Sequence, residues 1–230
     1  MTNKQTLLAA KNLAKSYWLN QKEITIFSHL SLDIYAGEHV AIMSASGSGK
    51  STLLTLLAAL DKPDSGEILL NKKDITKFSE DELAALRRTD FGFVFQSFHL
   101  IPSLSTLENI MFPLELLGTN SAEAKKQALE MLKRVNLGHR ADSFPYQLSG
   151  GEKQRTAIAR ALIHKPKILF ADEPTGNLDE ENSDQVLSLL LDLQKEFGST
   201  LVVITHEMKV AQKSDRILVL ENGQIKSKNK

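Results

Sequence analysis

Segments of strand and helix character alternate through most of this 230-residue chain, which predicts an α/β fold on a mostly parallel sheet with flanking helices. A second observation is a turn of small residues at 44–49, set between an apolar strand at 40–43 and a helix opening near Lys50. A third is the loss of strand patterning from 97 to about 145, where helical segments predict an insert. The length suits one sizeable core with room for such an insert.

The N-terminal part reads as short strands at 7–17, 24–27, 32–34 and 39–43, with Ala36-Gly37-Glu38 as a turn. Tyr17 and Trp18 follow the first strand, ahead of a polar loop. Tyr17 reads either as an edge-strand aromatic or as a ring on which adenine stacks. The run Ser44-Ala45-Ser46-Gly47-Ser48-Gly49-Lys50-Ser51-Thr52 comes next. Gly47 and Gly49 let the backbone approach a ligand closely. The turn's N–H groups and the helix N-terminus converge on one anion. Lys50 reaches β- and γ-phosphates, and the Ser51 hydroxyl suits Mg²⁺. This is a nucleoside triphosphate loop of the G-x-x-x-x-G-K-[ST] kind, with Ser44 standing where the first glycine belongs.

The loop helix is predicted to reach about residue 60, and 61–66 is a turn before a strand at 67–70. Ser79 and Glu82 make a capping box for a helix over 79–88. A dense apolar strand at 91–95 stops on Gln96, a neutral amide suited to a Mg²⁺ or water ligand. Helices are expected near 105–117 and 121–135. The cluster Phe98, Leu100, Ile101, Leu104, Ile110, Met111 and Phe112 exceeds what a small insert needs, so core packing and a docking surface are both open readings.

Gln147-Leu148-Ser149-Gly150-Gly151-Glu152 opens a helix to about 164. Ser149 and Glu152 have capping-box spacing, which alone accounts for them. Gly150 and Gly151 cost helix stability, and suit a place where an anion comes close to exposed N–H groups. A strand at 167–171 ends in Asp172-Glu173-Pro174. That is either a solvated turn, or an Asp holding Mg²⁺ through water beside a Glu that activates water. A helix over 182–197, a strand over 200–205 ending at His206, and a hairpin over 215–226 turning at Asn222-Gly223 complete the chain.

Lys plus Arg and Asp plus Glu both number 28, so no overall basic field draws nucleic acid, and none is expected as a partner. The absence of cysteine excludes disulfides and thiolate metal sites and suits the cytosol. Residues 1–11 lack a signal-peptide core, and no apolar run approaches the ~20 residues that span a bilayer. A membrane connection is therefore expected through a partner.

Taken in order, Lys50-Ser51-Thr52, Gln96, Leu148-Ser149-Gly150-Gly151-Glu152, 168–173, Asn177-Leu178-Asp179 and His206 resemble the ATP-binding subunit of ABC transporters over nearly the whole chain. The runs 93–98, Glu108-Asn109 and 173–179 further resemble its lipoprotein-releasing and macrolide-exporting subfamily. The resemblance implies a P-loop NTPase with a RecA-like core, an antiparallel β part on the N-terminal side and a helical insert. It implies one ATPase domain over 1–230, with 1–96 and 156–230 as α/β core plus β part, and 97–155 as the insert ending in the signature motif. ATP and Mg²⁺ are the implied cofactors.

Residue by residue, the resemblance puts Tyr17 on adenine and Ser44, Ala45, Ser46, Gly47, Ser48, Gly49, Lys50, Ser51 and Thr52 around the phosphates. Ser51, Gln96 and, through water, Asp172 would hold Mg²⁺. Glu173 would be the general base, His206 would touch the γ-phosphate, and Asp179 would lie at a dimer interface. Ser149, Gly150, Gly151 and Glu152 would face the nucleotide of a second copy in a head-to-tail dimer. The implied protein is an ATPase subunit on the cytoplasmic face of the inner (plasma) membrane, powering a permease docked on the helical insert. An ATP-gated signalling module acting on a membrane partner is the alternative.

Overall fold

A computed structural model describes residues 5–44 and 47–228. The first half contains β1 (Thr6–Leu19), β2 (Lys22–Tyr35), β3 (His39–Met43), α1 (Lys50–Leu57), β4 (Ser65–Leu70), β5 (Lys73–Asp74), α2 (Glu80–Asp90) and β6 (Phe91–Phe95). It continues with α3 (Thr106–Leu116), α4 (Ser121–Arg134), α5 (Gly150–Leu162), β7 (Ile168–Asp172) and α6 (Glu180–Phe197). Last come β8 (Thr200–Thr205), α7 (Met208–Ala211), β9 (Arg216–Glu221) and β10 (Gln224–Lys228). They form two compact units, one of residues up to Arg87 with those from Thr200 onward, the other of Arg88–Ser199.

The first unit holds an antiparallel sheet in the order β2-β1-β4-β5. β1 and β2 are arms of one hairpin, whose turn residues Asn20 and Gln21 take φ of 48° and 66°. The separate strands expected at 24–27 and 32–34 are one strand, and Tyr17 and Trp18 lie within β1 rather than after it. Register shifts along the β1–β2 ladder break the period-two alternation, which is why one strand reads as two. Beside this, β3 runs parallel to both β8 and β9, and β10 returns antiparallel to β9. Val40, Ala41 and Ile42 are fully buried, as are Leu201 to Ile204, the continuous apolar runs that a two-sided parallel sheet demands. Helix α1 stops at Leu57, short of the predicted 60, because Ala59 turns to a φ of 54°.

In the second unit β6 and β7 pair in parallel, and Phe91 packs edge-on against Phe170 with ring centroids 5.3 Å apart. Ser105 and Glu108 cap α3 reciprocally. Asn109, fully buried, pins the loop before it by donating to the carbonyls of Ile101, Leu104 and Ser105 and accepting from the Ile101 N–H. Of the apolar cluster noted in the sequence, Ile110 and Met111 belong to the core. Phe98, Leu100, Ile101, Leu104 and Phe112 are half-exposed. Asp179 caps α6 by accepting from the Asn182 N–H, and Gly198 ends it in the left-handed conformation. Among the described residues no helix is long and apolar enough to cross a membrane.

Candidate nucleotide site

In the first unit, Met43 of β3 pairs with Thr205 of β8. The two parallel strands therefore end together, and Ser44 and His206 leave them side by side at the carboxyl edge, where α/β sheets bind ligands. Past Ser44 the chain turns through Gly47 at φ 78° and Gly49 at φ 92°, a backbone closed to most side chains. A Cβ on Gly49 would also fall 2.5 Å from Ile26 Cγ2 and 3.1 Å from the Phe27 ring. No side chain caps α1 and its first turn carries no acid, so its N–H groups keep their positive field for an anion. The Lys50 ammonium donates to the Ser44 carbonyl at 3.1 Å. The Ser48 hydroxyl donates to the Ser44 hydroxyl, a bond that a glycine at 44 could not accept. Ser51 is exposed and Thr52 half-buried at the start of α1. Ala45 and Ser46 lie outside the described residues.

Tyr17 is 41% exposed, and its hydroxyl donates to Asp61 Oδ2 at 3.1 Å. The buried Lys15 ammonium sits 2.9 Å from the same carboxylate oxygen and 5.2 Å from the centre of the Tyr17 ring. Burial alone would lower the Lys15 pKa, but the Asp61 carboxylate outweighs it and holds the pKa above its ordinary value. Burial likewise works to raise the Asp61 pKa, and its bond from Lys15 is the leading opposing cause in a net lowering. The tyrosine ring is thus fixed at its hydroxyl end. Sequence reasoning singled out Tyr17 but not Lys15 or Asp61, whose turn position 44 residues on carries no motif of its own.

In the second unit, Phe95 pairs with Asp172, so Gln96 and Glu173 leave β6 and β7 side by side at the same end. Glu173 is 9% exposed, with a left-handed φ of 46°. A non-glycine residue there costs energy, and the surrounding turn supplies the constraint. The Glu173 carbonyl accepts from Gly176 N–H at 3.0 Å, the Thr175 carbonyl from Leu178 N–H at 3.0 Å, and the Pro174 carbonyl from buried Gln154 Nε2 at 2.6 Å. Asn177, which sequence reasoning quoted but gave no role, joins that turn to Gln96. Its Nδ2 donates to the Gln96 backbone carbonyl at 2.9 Å, and its Oδ1 accepts from Gln96 Nε2 at 3.1 Å.

Ser149 and Glu152 do form a capping box at the start of α5: Ser149 N–H donates to Glu152 Oε2 at 2.8 Å, and Glu152 N–H to the serine hydroxyl at 3.3 Å. Burial works to raise the Glu152 pKa, but the Ser149 N–H and the Arg140 guanidinium at 2.8 Å overcome it and hold the carboxyl below its usual range. A Cβ on Gly151 would fall 2.7 Å from Asn182 Oδ1, and one on Gly150 3.3 Å from Leu178, so close packing with the Asn177–Asn182 region gives both glycines an internal reason. Asp179 accepts from the Asn182 backbone and side chain, which lowers its pKa.

A glycine-turned loop feeding an uncapped helix from the end of a buried parallel strand, with strand-end acids and an amide elsewhere in the α/β fold, defines a P-loop nucleoside triphosphatase. The family described as ABC transporter matches residues 27–176, well over half the chain, and the chain belongs to that family. It is 46% identical over 217 residues to the lipoprotein-releasing system ATP-binding protein LolD of Idiomarina loihiensis, covering 94% of this chain and 95% of that protein. It is 45% identical over 212 residues to the macrolide export ATP-binding/permease protein MacB of Chlorobaculum tepidum, covering 92% of this chain and 32% of that longer protein. Among solved structures it resembles the dimeric bacterial ABC transporter cassette MJ0796, with a TM-score of 0.89, 41% identity, and 97% and 98% of the two chains covered. The dimeric post-hydrolysis state of the same cassette, bound to ADP and Pi, matches with the same values.

Proposed function

We propose that this chain is the ATP-hydrolysing subunit of a transporter, dimerising head to tail around ATP and powering a membrane-embedded partner that extrudes or extracts a substrate. The observation that carries the reading is the pairing of strand ends: Ser44 with His206 in one unit, Gln96 with Glu173 in the other. Tyr17 receives the adenine, and the 44–52 loop with Lys50 receives the phosphates. Ser51, Gln96 and Asp172 are oxygen donors of the hard kind that suits Mg²⁺, which when bound supplies charge neutralisation at the phosphates. Glu173 takes the proton of the attacking water, and His206 contacts the γ-phosphate.

The second anion-binding helix start, at 149–152, belongs to the nucleotide of the other copy, with Asp179 at the same interface. The helical segment 97–155 is the dock for the partner's cytoplasmic part, through half-exposed Phe98, Leu100, Ile101, Leu104 and Phe112. That attachment places the chain peripherally on the cytoplasmic face of the inner membrane. The LolD and MacB relatives point to lipoprotein or small-molecule handling as the class of work.

The test is oligomeric state and complementation. Glu173→Gln should dimerise in Mg-ATP, and a mixture of Lys50→Ala and Gly150→Asp chains should regain activity over either alone, because one composite site stays intact. A Glu173→Gln chain that stays monomeric at saturating Mg-ATP, even with the membrane partner, overturns the shared site.

A further inference from the structure

The direction of the hydrogen bonds between Asn177 and Gln96 fixes more than proximity. The Gln96 backbone carbonyl only accepts, so the group of Asn177 facing it is the amide nitrogen, at 2.9 Å. That leaves Asn177 Oδ1 facing the Gln96 side chain, and an acceptor there selects Gln96 Nε2, at 3.1 Å. The Gln96 amide oxygen is thereby turned away from Asn177. A backbone carbonyl has set, through two side chains, which end of an otherwise ambiguous amide is presented.

Gly176 is a second, independent part of the arrangement. Its absent side chain is the space the Gln96 amide occupies, since a Cβ there would lie 2.8 Å from Nε2 and 3.2 Å from Cδ. The same turn begins at Glu173, whose carbonyl accepts from the Gly176 N–H. One short turn therefore carries the carboxylate at its start and the clamp on Gln96 at its end.

We propose that Asn177, with Gly176 beside it, is a positioning residue that orients the Gln96 amide so that its oxygen rather than its nitrogen is presented to the metal of the nucleotide complex. This rests on the reading of Gln96 as a metal ligand. A metal accepts an amide through oxygen only, so an amide free to flip spends part of its time with the wrong atom forward. Groups that orient a metal ligand typically change metal affinity about 10- to 100-fold when removed.

The test uses the full chain carrying Glu173→Gln, loaded with ATP and titrated with Mn²⁺ by electron paramagnetic resonance. Metal-free ATP affinity and thermal unfolding are measured alongside. Asn177→Ala should weaken Mn²⁺ binding about 10-fold and leave metal-free ATP affinity within about 2-fold. Gly176→Ala, which keeps Asn177 but crowds the amide, should weaken it in the same direction. With Gln96→Ala already present, adding Asn177→Ala should change Mn²⁺ affinity by less than about 2-fold, because nothing is left to orient. If Gln96→Ala alone weakens Mn²⁺ binding but Asn177→Ala does not, the positioning role falls while the ligand role stands. Equal losses from Asn177→Ala with and without Gln96 overturn it too, since Asn177 then acts by another route. If Gln96→Ala leaves Mn²⁺ binding unchanged, the ligand reading itself fails and takes the proposal with it. Should Asn177→Ala fail to fold, Asn177→Leu replaces it: it nearly keeps the volume, offers Gln96 neither donor nor acceptor, and must show the same loss.

Discussion

The Arg160 guanidinium on α5 donates to the carbonyl of His99 at 2.7 Å, and with its other terminal nitrogen to that of Phe98 at 3.0 Å. Phe98 and His99 are consecutive residues in the left-handed region, at φ 62° and 48°, separated from Gln96 by Ser97. Burial lowers the Arg160 pKa, and the two carbonyls take up its donors in place of water. Arg160→Met removes both bonds and should cost about 1.5–3 kcal/mol, the range for hydrogen bonds to charged groups. The urea midpoint should fall and residues 96–101 should become a site of limited proteolysis, with Arg160→Lys intermediate. Unchanged proteolysis in Arg160→Met would show that the turn holds itself.

Base recognition should rest on the Tyr17 ring and phosphate recognition should not. Stacking of a base on an aromatic is worth about 1–3 kcal/mol, so Tyr17→Ala should weaken ATP about 5- to 150-fold. Tripolyphosphate, which has no base, should bind Tyr17→Ala and the parent chain equally. Tyr17→Phe keeps the ring, loses only the bond to Asp61, and should fall between the two in a fluorescent-nucleotide displacement titration.

Hydrolysis should separate from binding at two positions. Glu173→Gln cannot take up the proton of water, so turnover should drop about 10²- to 10⁴-fold while ATP stays bound. Lys50→Ala removes the cation from the phosphate loop and should lose ATP affinity itself. Near-parental phosphate release from Glu173→Gln would remove Glu173 from the role of general base.

The sequence carries the parallel strands plainly, because the runs 40–43, 91–95, 168–171 and 201–204 are almost wholly apolar and leave no alternation to misread. It hides the β1–β2 hairpin, since Asn20-Gln21 lacks the glycine that usually marks so tight a turn and the bulges scramble the period. The two-residue β5 and four-residue α7 are too short for any periodicity. Charge and glycine drew attention to Lys50, Asp172 and Glu173. Asn177 has neither, and its part emerges only from the two hydrogen bonds that close on Gln96.

Acid should destabilise the fold first through His164. Its Nε2 lies 3.0 Å from the Phe91 carbonyl, and burial lowers its pKa from 6.5 despite that bond and the nearby Asp90. The unfolded chain therefore binds a proton that the folded chain refuses, and the stability contributed is full above pH 6.5 and lost as pH falls from there through the folded value. Glu152, lowered from 4.5, adds a second loss of the same sign that begins below pH 4.5. Urea midpoints between pH 7.5 and 5 should slope for the parent chain and flatten in His164→Gln. An unchanged slope would assign the acid limb to other groups.

Ser44→Gly should keep ATP hydrolysis within a few-fold of the parent. The Lys50 ammonium contacts the Ser44 carbonyl, which glycine retains, while the hydroxyl bond from Ser48 is lost. A neutral hydrogen bond is worth about 0.5–1.5 kcal/mol, which bounds the change. A gain or loss of more than about 10-fold in measured turnover would mean the serine hydroxyl does more than brace Ser48.

Gly49 rests against Ile26 and Phe27 of β2, the strand whose hairpin partner carries Tyr17. On the proposed function, the phosphate loop and the ring that stacks on the base are therefore two ends of one caliper, joined through position 26. A bulkier residue there would press on Gly49 and mis-set the gap between ring and loop. The spacing thus depends on a half-buried isoleucine side chain that belongs to none of the sequence motifs.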